Sequence, residues 1–328
     1  MLRRRSSVGY RVKKSRVGKR LMSHTRLLFV LGGVAVALIL TVIWGLIWGE
    51  QAQESALART KSRLQAQALA AEIPDWLPTQ PAPLQAAYLG KLTSFSEAVA
   101  SAALLAEGGS EALSIPMYLD GMPQYSSATA CTLGRQTEGA SDILPQLLFE
   151  TIQANGCRVA ATFACAWQNE TALSLRRVAR TYEAALVAEI AEAGADEVLL
   201  TGLAVTEETM HEVALFLQEI RESCPDAVIG ISLPTALMMS DTRVETVRTL
   251  LTWADHAALD LSDYATHTFS ETDADGTPIR TAATLSQILD LLDPAIRRYQ
   301  MRLLIPVSMY EQLATVEELG YENWQIIR

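Results

Sequence analysis

The stretch RTYEAALVAEIAEAGADEVLLTGL, from Arg180 to Leu203, combines a helix with a short buried strand. Its first half is rich in Ala, Leu and Glu, which favour helices, and it runs up to Gly194, a residue type that commonly ends a helix. Asp196 then precedes a short apolar run that finishes in Thr201 and Gly202. A helix followed at once by an apolar strand is typical of one repeat of an alternating α/β fold.

The same alternation continues on both sides of this unit. Between the apolar runs lie seven helical segments in which apolar residues recur at three- and four-residue spacing. Eight strands and seven helices in about 245 residues predict a (β/α)8 TIM-type barrel that lacks a clear eighth helix, since such barrels have about 250 residues. The predicted strands are Leu84–Leu89, Ala112–Leu119, Cys157–Cys165, Asp196–Gly202, Ala227–Leu233, His256–Ser262, Met301–Val307 and Asn323–Ile327.

A doubly wound open sheet is the alternative fold. Such sheets carry a glycine-rich phosphate loop after the first strand, whereas the segment Tyr88 to Thr93 contains one glycine. His211, His256 and His267 do not have the spacing of zinc ligands. The sequence therefore favours the barrel, and we expect neither a cofactor nor a metal.

The N-terminal 49 residues have the pattern of a membrane anchor. Residues 1–26 contain ten Lys and Arg and no Asp or Glu, and residues 27–49 are free of charge. About 20 apolar residues cross a bilayer core, and an excess of basic residues predicts the cytoplasmic side. We therefore expect a single-pass protein of the cell membrane, whose C-terminal part is extracytoplasmic. A cleaved signal peptide is the alternative, with a weak cleavage site at Ala56-Leu57-Ala58.

Residues 50–83 are predicted to connect this span to the barrel. Residues 51–73 are good helix formers without Pro or Gly, which predicts a helical stalk. Four prolines between Pro74 and Pro83 then break the helix. The predicted organisation is thus a basic tail at 1–26, a transmembrane helix at 27–49, a stalk and Pro-rich linker at 50–83, and a barrel domain at 84–328.

The net charge of the exported part limits the partners that it can bind. Residues 50–328 contain 17 Lys and Arg and 37 Asp and Glu, a net charge of −20, which disfavours binding to nucleic acid. Membrane lipid is expected as a partner through the single span.

Four cysteines are too few for a disulfide-stapled scaffold. Cys131 and Cys165 are the pair to test for a bridge, because both are predicted near the same end of neighbouring strands.

The segment from Arg180 to Leu203 resembles part of a family of predicted bacterial glycoside hydrolases with a (β/α)8 barrel. That family shows a tyrosine-bearing helix, a glycine, Asp-Glu-Ile and a strand ending in Asp-Tyr-x-Arg-Phe-Pro. Leu84–Leu89 resembles its first strand, EALSIPMYLDG with the later YSS resembles its second, and ENWQII resembles its tryptophan-bearing last strand. The resemblance implies the same order of eight strands and a site for carbohydrate at their C-terminal ends.

The chain departs from the family at the acidic motifs. Thr201 and Ala204 occupy the positions of the family's strand-four Asp and Arg, and Pro116 and Tyr118 occupy those of its strand-two Asp and Lys. The strand-six signature Met-x-Tyr-Pro-Ser is replaced by LDLSDYATH, residues 259–267. The resemblance therefore implies an active-site face that has lost its carboxylates.

Glycoside hydrolysis normally requires two carboxylates roughly 5 to 10 Å apart, which in a barrel lie at the C-terminal strand ends. The candidate catalytic residues are Asp120, Asp260 and Asp263. Asp260 lies inside an apolar strand, where burial favours the protonated acid, and Asp120 with Asp263 could form a rebuilt pair. An acid at the start of a loop is more often a solvated residue or a helix cap.

Aromatic rings near predicted strand ends are candidates for stacking on a sugar, because flat apolar rings with polar edges suit sugar faces. Packing in the core is the alternative for each ring. The candidate ligand-binding residues are Tyr118, Trp167, Tyr264 and Trp324.

These patterns favour a membrane-anchored, extracytoplasmic, glycoside-hydrolase-like barrel that is catalytically degenerate, a pseudoenzyme that binds a cell-envelope glycan or a protein partner. An active glycoside hydrolase with relocated acids is one alternative. A structural component of an envelope assembly is another, since a fold does not determine a function.

Overall fold

The computed structural model describes residues 74–137, 139–240, 242–272 and 278–328. The predicted basic tail, transmembrane helix and helical stalk lie outside these residues. Within the described part of the chain, no helix combines the length and hydrophobicity required to cross a bilayer.

Eight parallel strands close into a barrel. In spatial order β1, β2, β4, β5, β6, β7, β10 and β11 pair side by side, and β1 pairs with both β2 and β11. All eight predicted strands are present, with ends that shift by at most two residues. The strands of the described residues are β1 Gln85–Tyr88, β2 Ala112–Leu119, β3 Met122–Pro123, β4 Arg158–Ala164, β5 Glu197–Thr201, β6 Ile229–Pro234, β7 His256–Asp260, β8 Thr268–Thr272, β9 Pro278–Ala282, β10 Arg302–Pro306 and β11 Trp324–Ile327.

Helices surround the barrel, and the seven predicted helices are confirmed as α1, α3, α4, α5, α7, α8 and α9. Side-chain caps fix two of their starts: the Ser94 hydroxyl accepts a hydrogen bond at α1, and Thr284 with Gln287 forms a capping box at α8. Among the described residues, none forms a helix after β11. The helices are α1 Phe95–Glu107, α2 Ala128–Thr132, α3 Pro145–Ala154, α4 Leu173–Glu192, α5 Met210–Ser223, α6 Thr235–Met238, α7 Arg243–Leu250, α8 Leu285–Arg298 and α9 Leu313–Glu318.

Several smaller features, among them the short helix α6, were absent from the sequence-based prediction. β3 folds back on the end of β2, α2 lies in the long connection between β2 and α3, and β8 with β9 forms an antiparallel hairpin after β7. The hairpin strand β8 reads TFSET, which lacks a run of apolar residues, so hydrophobic patterning did not indicate it.

The side chains of the strands alternate between two apolar environments. Residues that point outward, such as Leu113 and Phe163, join the main core beneath the helices. Small and aliphatic residues that point inward form two separate clusters, one around Ala86 and Ala160 and the other around Leu199 and Leu304. The barrel interior is therefore filled by side chains, as in other barrels of this size.

A polar network lies inside the barrel near the N-terminal ends of the strands. Arg302 donates from Nη2 to Glu197 Oε2 at 2.9 Å, forms a second bond to Oε1, and donates to Gln325 Oε1 at 3.1 Å. Gln325 in turn donates to Ser114 Oγ at 3.1 Å. Burial and the Arg302 guanidinium lower the pKa of the adjacent His256 to about 4, so this imidazole is neutral. The pairing of Arg302 with Glu197 offsets the cost of burying both charges.

The Pro-rich segment 74–83, predicted as a linker, contacts the N-terminal end of the barrel. The rings of Trp76 and Tyr299 lie 6.0 Å apart, and Gln80 Nε2 donates to the carbonyl oxygen of Asp255 at 3.3 Å. Both partners lie in connections that lead into strands. The described chain therefore begins at the end of the barrel opposite the C-terminal strand ends.

Candidate functional site

The C-terminal strand ends form the mouth of the barrel, the position at which such folds carry their reactive groups. Of the residues that end the eight barrel strands, Asp260 is the one with a carboxylate. The end residues are Tyr88, Leu119, Ala164, Thr201, Pro234, Asp260, Pro306 and Ile327. Most of this rim therefore cannot exchange a proton or form an ester with a sugar.

Asp260 is half-buried at the end of β7. Its Oδ1 accepts a hydrogen bond from the backbone N–H of Ser262 at 2.8 Å. The carboxylate thus stabilises the turn that follows its own strand, a common role for Asp at the start of a loop.

Three polar side chains meet between the ends of β6 and β7. The Thr235 hydroxyl oxygen lies 2.6 Å from Asp263 Oδ1 and 2.6 Å from His267 Nε2. Thr235 is fully buried, whereas the side chains of Asp263 and His267 are 30% and 21% exposed. Because the hydroxyl carries one proton, all three groups are satisfied when it donates to Asp263 and accepts from a protonated Nε2 of His267. We call Thr235, Asp263 and His267 the mouth cluster.

Tyr264 follows Asp263 in a short 3-10 turn, Tyr264–Thr266, and is half-buried against the core. Three of the sequence-predicted site residues, Asp260, Asp263 and Tyr264, therefore share one loop of the mouth. Thr235 and His267 were not predicted. The available signals were the position of Thr235 directly after a strand end and the four-residue spacing between Asp263 and His267.

Asp120 lies on the opposite side of the barrel from this loop. β2 and β7 are separated by three strands in either direction around the barrel. Asp120 has a positive φ of 52° and is paired with Arg328, whose Nη1 lies 2.7 Å from its Oδ2. Both side chains are exposed. The structure therefore does not bring Asp120 and Asp263 together as the rebuilt catalytic pair expected from the sequence.

Three of the four predicted stacking rings have no free face. Tyr118 is 2% exposed and stacks on Phe163, with ring centroids 4.3 Å apart. Trp167 is fully buried and packs at 5.6 Å on Phe216. Trp324 is the first residue of β11 and so lies at the end of the barrel remote from the mouth. Their placement does not support a sugar-binding role.

A shift in strand register explains the position of Tyr118. Pro116 pairs with Thr162 and Tyr118 pairs with Phe163, so the register between β2 and β4 slips by one residue. A slip of one residue reverses which side chains face outward. Tyr118 accordingly faces the layer of helices.

Thr201, which occupies the position of the family's strand-four Asp, belongs to a tightly tied turn. Cys165 N donates to the Thr201 carbonyl oxygen at 2.8 Å, and Gly202 follows with a φ of +74°. A Cβ atom at Gly202 would lie 3.1 Å from the Cys165 carbonyl oxygen, so glycine suits this turn. Farther on, Ala204 N donates to Gln168 Oε1 at 2.7 Å and Gln168 Nε2 donates to the Ala204 carbonyl oxygen at 3.1 Å.

A buried carboxylate that sequence patterning did not indicate lies beneath this side of the mouth. Glu183 of α4 is 2% exposed, and both of its carboxylate oxygens accept from Ala166 N at 3.1 Å. Burial raises the pKa of Glu183 to about 7, although the backbone N–H groups of Ala166 and Trp167, the Tyr118 hydroxyl and the Arg135 guanidinium favour the ionised form.

The four cysteines are free thiols, so the structure contains no bridge between Cys131 and Cys165. Cys131 lies in α2, away from the strand end at which it was expected, and Cys165 is buried. Burial and the neighbouring Glu183 carboxylate raise the pKa of Cys165 well above its usual value, which keeps this thiol protonated.

No protein-family model matches this chain, and no curated protein matches it. Several solved structures resemble its fold. QR15, an aldolase, is 14% identical, with 74% of this chain and 88% of that chain covered and a TM-score of 0.44. A chitinase from Chromobacterium violaceum is 14% identical, with 69% and 68% covered and a TM-score of 0.42. The spore cortex-lytic enzyme SleL of Bacillus cereus is 10% identical, with 70% and 51% covered and a TM-score of 0.42. Likenesses of this degree assign neither a reaction nor a ligand to the chain.

Proposed function

We propose that this protein is a membrane-anchored, extracytoplasmic barrel that binds a cell-envelope glycan at its mouth and does not hydrolyse it. The observation that carries the proposal is the chemistry of the mouth: one strand-end carboxylate, Asp260, next to the mouth cluster of Thr235, Asp263 and His267. This arrangement offers hydrogen-bonding groups to a hydroxyl-rich ligand but lacks a matched pair of free carboxylates.

The surroundings of each candidate acid disfavour hydrolysis. Asp263 already accepts a hydrogen bond from the Thr235 hydroxyl, and Asp260 accepts one from Ser262 N. Asp120 is paired with Arg328 on the opposite side of the barrel. A retaining or inverting glycosidase needs an acid and a second carboxylate that flank the same bond. Asp120 is therefore remote from the other two candidates, and Asp260 and Asp263 are each already engaged in a hydrogen bond.

Binding is supported by the exposed groups of the same loop. Asp263 and His267 keep about a quarter of their side-chain surface in solvent, and the ring of Tyr264 is half-exposed. Carboxylate and imidazole groups can accept from or donate to sugar hydroxyls, and an aromatic ring can cover a sugar face. A protein partner is the other ligand class to be tested.

Membrane anchoring is supported by the sequence of residues 1–49 and is consistent with the direction of the chain. Residues 74–83 lie at the N-terminal end of the barrel. A tether that leaves from this end directs the mouth away from the bilayer, where it can reach an envelope polymer.

An active hydrolase is the second candidate, and one observation favours it. Asp263 Oδ2 lies 3.9 Å from His267 Nε2, and Asp260 precedes Asp263 by three residues, so titratable groups of two kinds share one loop. In that case the acid and base would both come from the segment 260–267.

The proposal is tested with the full chain in lipid nanodiscs and a panel of peptidoglycan fragments and α- and β-linked oligosaccharides. We expect at least one glycan to bind, and we expect Asp263→Asn to weaken that binding. Asp120→Asn is the matched control, because it alters an equivalent acid across the mouth and should leave binding unchanged. The glycan-binding proposal fails if no member of the panel binds, or if both variants bind like the parent protein.

A further inference from the structure

The buried carboxyl group of Glu183 contacts one loop of the mouth directly and a second loop indirectly. The residue lies in the middle of α4, and its carboxylate reaches under the connection between β4 and α4 to accept from Ala166 N. The 3-10 turn Trp167–Asn169 follows at once. Within that turn Gln168 exchanges two hydrogen bonds with Ala204, in the connection between β5 and α5. Hydrogen bonds therefore link Glu183 to the first connection directly and to the second through Gln168.

The other ionisable groups that face Glu183 keep one charge state near neutral pH. The pKa values of Tyr118 from β2 and Tyr182 from α4 are raised, chiefly by burial, and that of Cys165, directly after β4, is raised by burial and by Glu183 itself. These three groups therefore stay neutral. Arg135, which approaches from the connection between α2 and α3, holds its guanidinium 4.4 Å from the centre of the Tyr182 ring and is always charged. Glu183 is thus the group of this cluster that can titrate.

We infer that Glu183 is a proton-operated latch on the mouth: protonated, it stays buried and holds the β4–α4 turn and, through Gln168, the β5–α5 connection; ionised, it favours the opening of both. Glu183 acts as a positioning residue, since it is buried beneath the loops. The inference rests on the proposed function only in taking the mouth as the ligand site.

The direction of the pH effect follows from the thermodynamic linkage between proton binding at Glu183 and opening of the loops. Burial raises the pKa of Glu183 to about 7 in the closed arrangement, whereas a carboxyl that opens to water returns towards its usual value of 4.5. The closed arrangement therefore holds the proton more tightly, and loss of the proton favours opening. Opening increases up to about tenfold for each pH unit between these two pKa values and levels off above the higher one.

Hydrogen exchange of the full chain in nanodiscs tests the latch without any ligand. The protection of the Ala166, Trp167 and Ala204 amides is measured between about pH 5 and pH 8, relative to the exchange rate of an unstructured peptide of the same sequence. We expect protection to fall at least about tenfold over this range. In Glu183→Gln, which cannot ionise, protection should stay at the acid value throughout.

Two further variants separate the latch from a general loss of stability. Glu189→Gln alters another glutamate of α4, which accepts from Ser127 and Ala128 rather than from the mouth, and it should retain the pH-dependent fall. Tyr118→Phe removes a hydroxyl that favours the ionised form of Glu183 in the closed arrangement, so protection should continue to fall to a higher pH before it levels off. This variant tests the inference even if Glu183→Gln does not fold.

Constant protection in the parent protein, or an unchanged fall in Glu183→Gln, would overturn the inference. Failure of the proposed function is recognised separately, because the glycan panel can show no binding while the amides still respond to pH. Where a glycan does bind, its dissociation constant should be lower at about pH 5 than at about pH 8, and Glu183→Gln should remove this difference.

Discussion

Thr235 and Asp263 join the ends of two neighbouring strands through a 2.6 Å hydrogen bond from the threonine hydroxyl to Oδ1 of the carboxylate. Thr235 begins α6 directly after β6, and Asp263 lies three residues beyond the end of β7. The bond therefore fixes the loop that carries Asp260, Tyr264 and His267. It also engages Oδ1 of Asp263, one of the candidate catalytic carboxylates.

Replacement of this hydroxyl should destabilise the loop. Thr235→Val removes the proton donor to Asp263 and the acceptor for His267, and we expect a loss of about 1–2 kcal/mol in the free energy of unfolding. Denaturant titration measures the loss. Thr252→Val removes an exposed hydroxyl that bonds to the Arg248 carbonyl oxygen, and it should change stability by less than about 0.5 kcal/mol. Equal effects of the two substitutions would contradict the role assigned to Thr235.

The ion pair inside the barrel should be far more sensitive to substitution than an ion pair at the surface. Arg302→Met leaves the Glu197 carboxylate buried without its cation, and we expect a loss of about 3–5 kcal/mol. Arg297→Met removes the arginine of the exposed pair with Asp293 and should cost less than about 1 kcal/mol. Comparable unfolding midpoints for the two variants would contradict the larger contribution assigned to the buried pair.

Gly230 should be required by the ring of His256. A Cβ atom at Gly230 would overlap the imidazole, which comes from the neighbouring strand and is fully enclosed. Gly230→Ala should therefore destabilise the barrel by about 1–3 kcal/mol. In a His256→Ala background the same substitution should cost much less, because the ring is gone. Additive losses in this double-mutant cycle would mean that the two positions do not interact.

The free energy of unfolding should fall as the pH rises towards neutrality, because of Glu183. The folded-state pKa of about 7 lies above the unfolded value of 4.5, so the folded protein retains a proton that the unfolded chain loses. The associated stability is complete below the unfolded pKa and is lost as the pH rises through the folded pKa, by roughly 3 kcal/mol at most. Glu183→Gln should flatten this part of the stability profile. A fall of the same size in that variant would assign the effect to another group.

The membrane prediction concerns residues outside the described part of the chain and remains open to a direct test. Protease added to intact protoplasts should release the domain beyond residue 50, because the basic residues before the predicted span favour a cytoplasmic N-terminus. A protected domain would exclude this topology, and a mature protein that begins shortly after residue 50 would indicate cleavage instead of anchoring.

Hydrophobic patterning was sufficient for the barrel because buried parallel strands are apolar throughout and are separated by amphipathic helices. It was insufficient for the site. The register slip at Pro116 and Tyr118 has no signature in the alternation of residues, so Tyr118 was expected at the mouth although it faces α4. Glu183 is one of several glutamates in a long helix, and its sequence context does not distinguish a buried carboxylate from a solvated one.

The polar groups of the mouth show the same limit. Asp260 and Asp263 were found because acids near an apolar strand are conspicuous. The other members of the mouth cluster, Thr235 and His267, come from a neighbouring strand end and from the far side of a turn. Such contacts depend on the strand order and on loop geometry, which follow from tertiary packing rather than from local sequence.

Product analysis tests the central claim most directly. The full chain in nanodiscs is incubated with peptidoglycan and with the oligosaccharides that it binds, and new reducing ends and released fragments are quantified by mass spectrometry against a protein-free blank. A non-hydrolytic barrel should give no product above the blank, and Asp260→Asn and Asp263→Asn should give the same result. Release of fragments by the parent protein that disappears in either variant would contradict the account and identify that aspartate as part of a catalytic site.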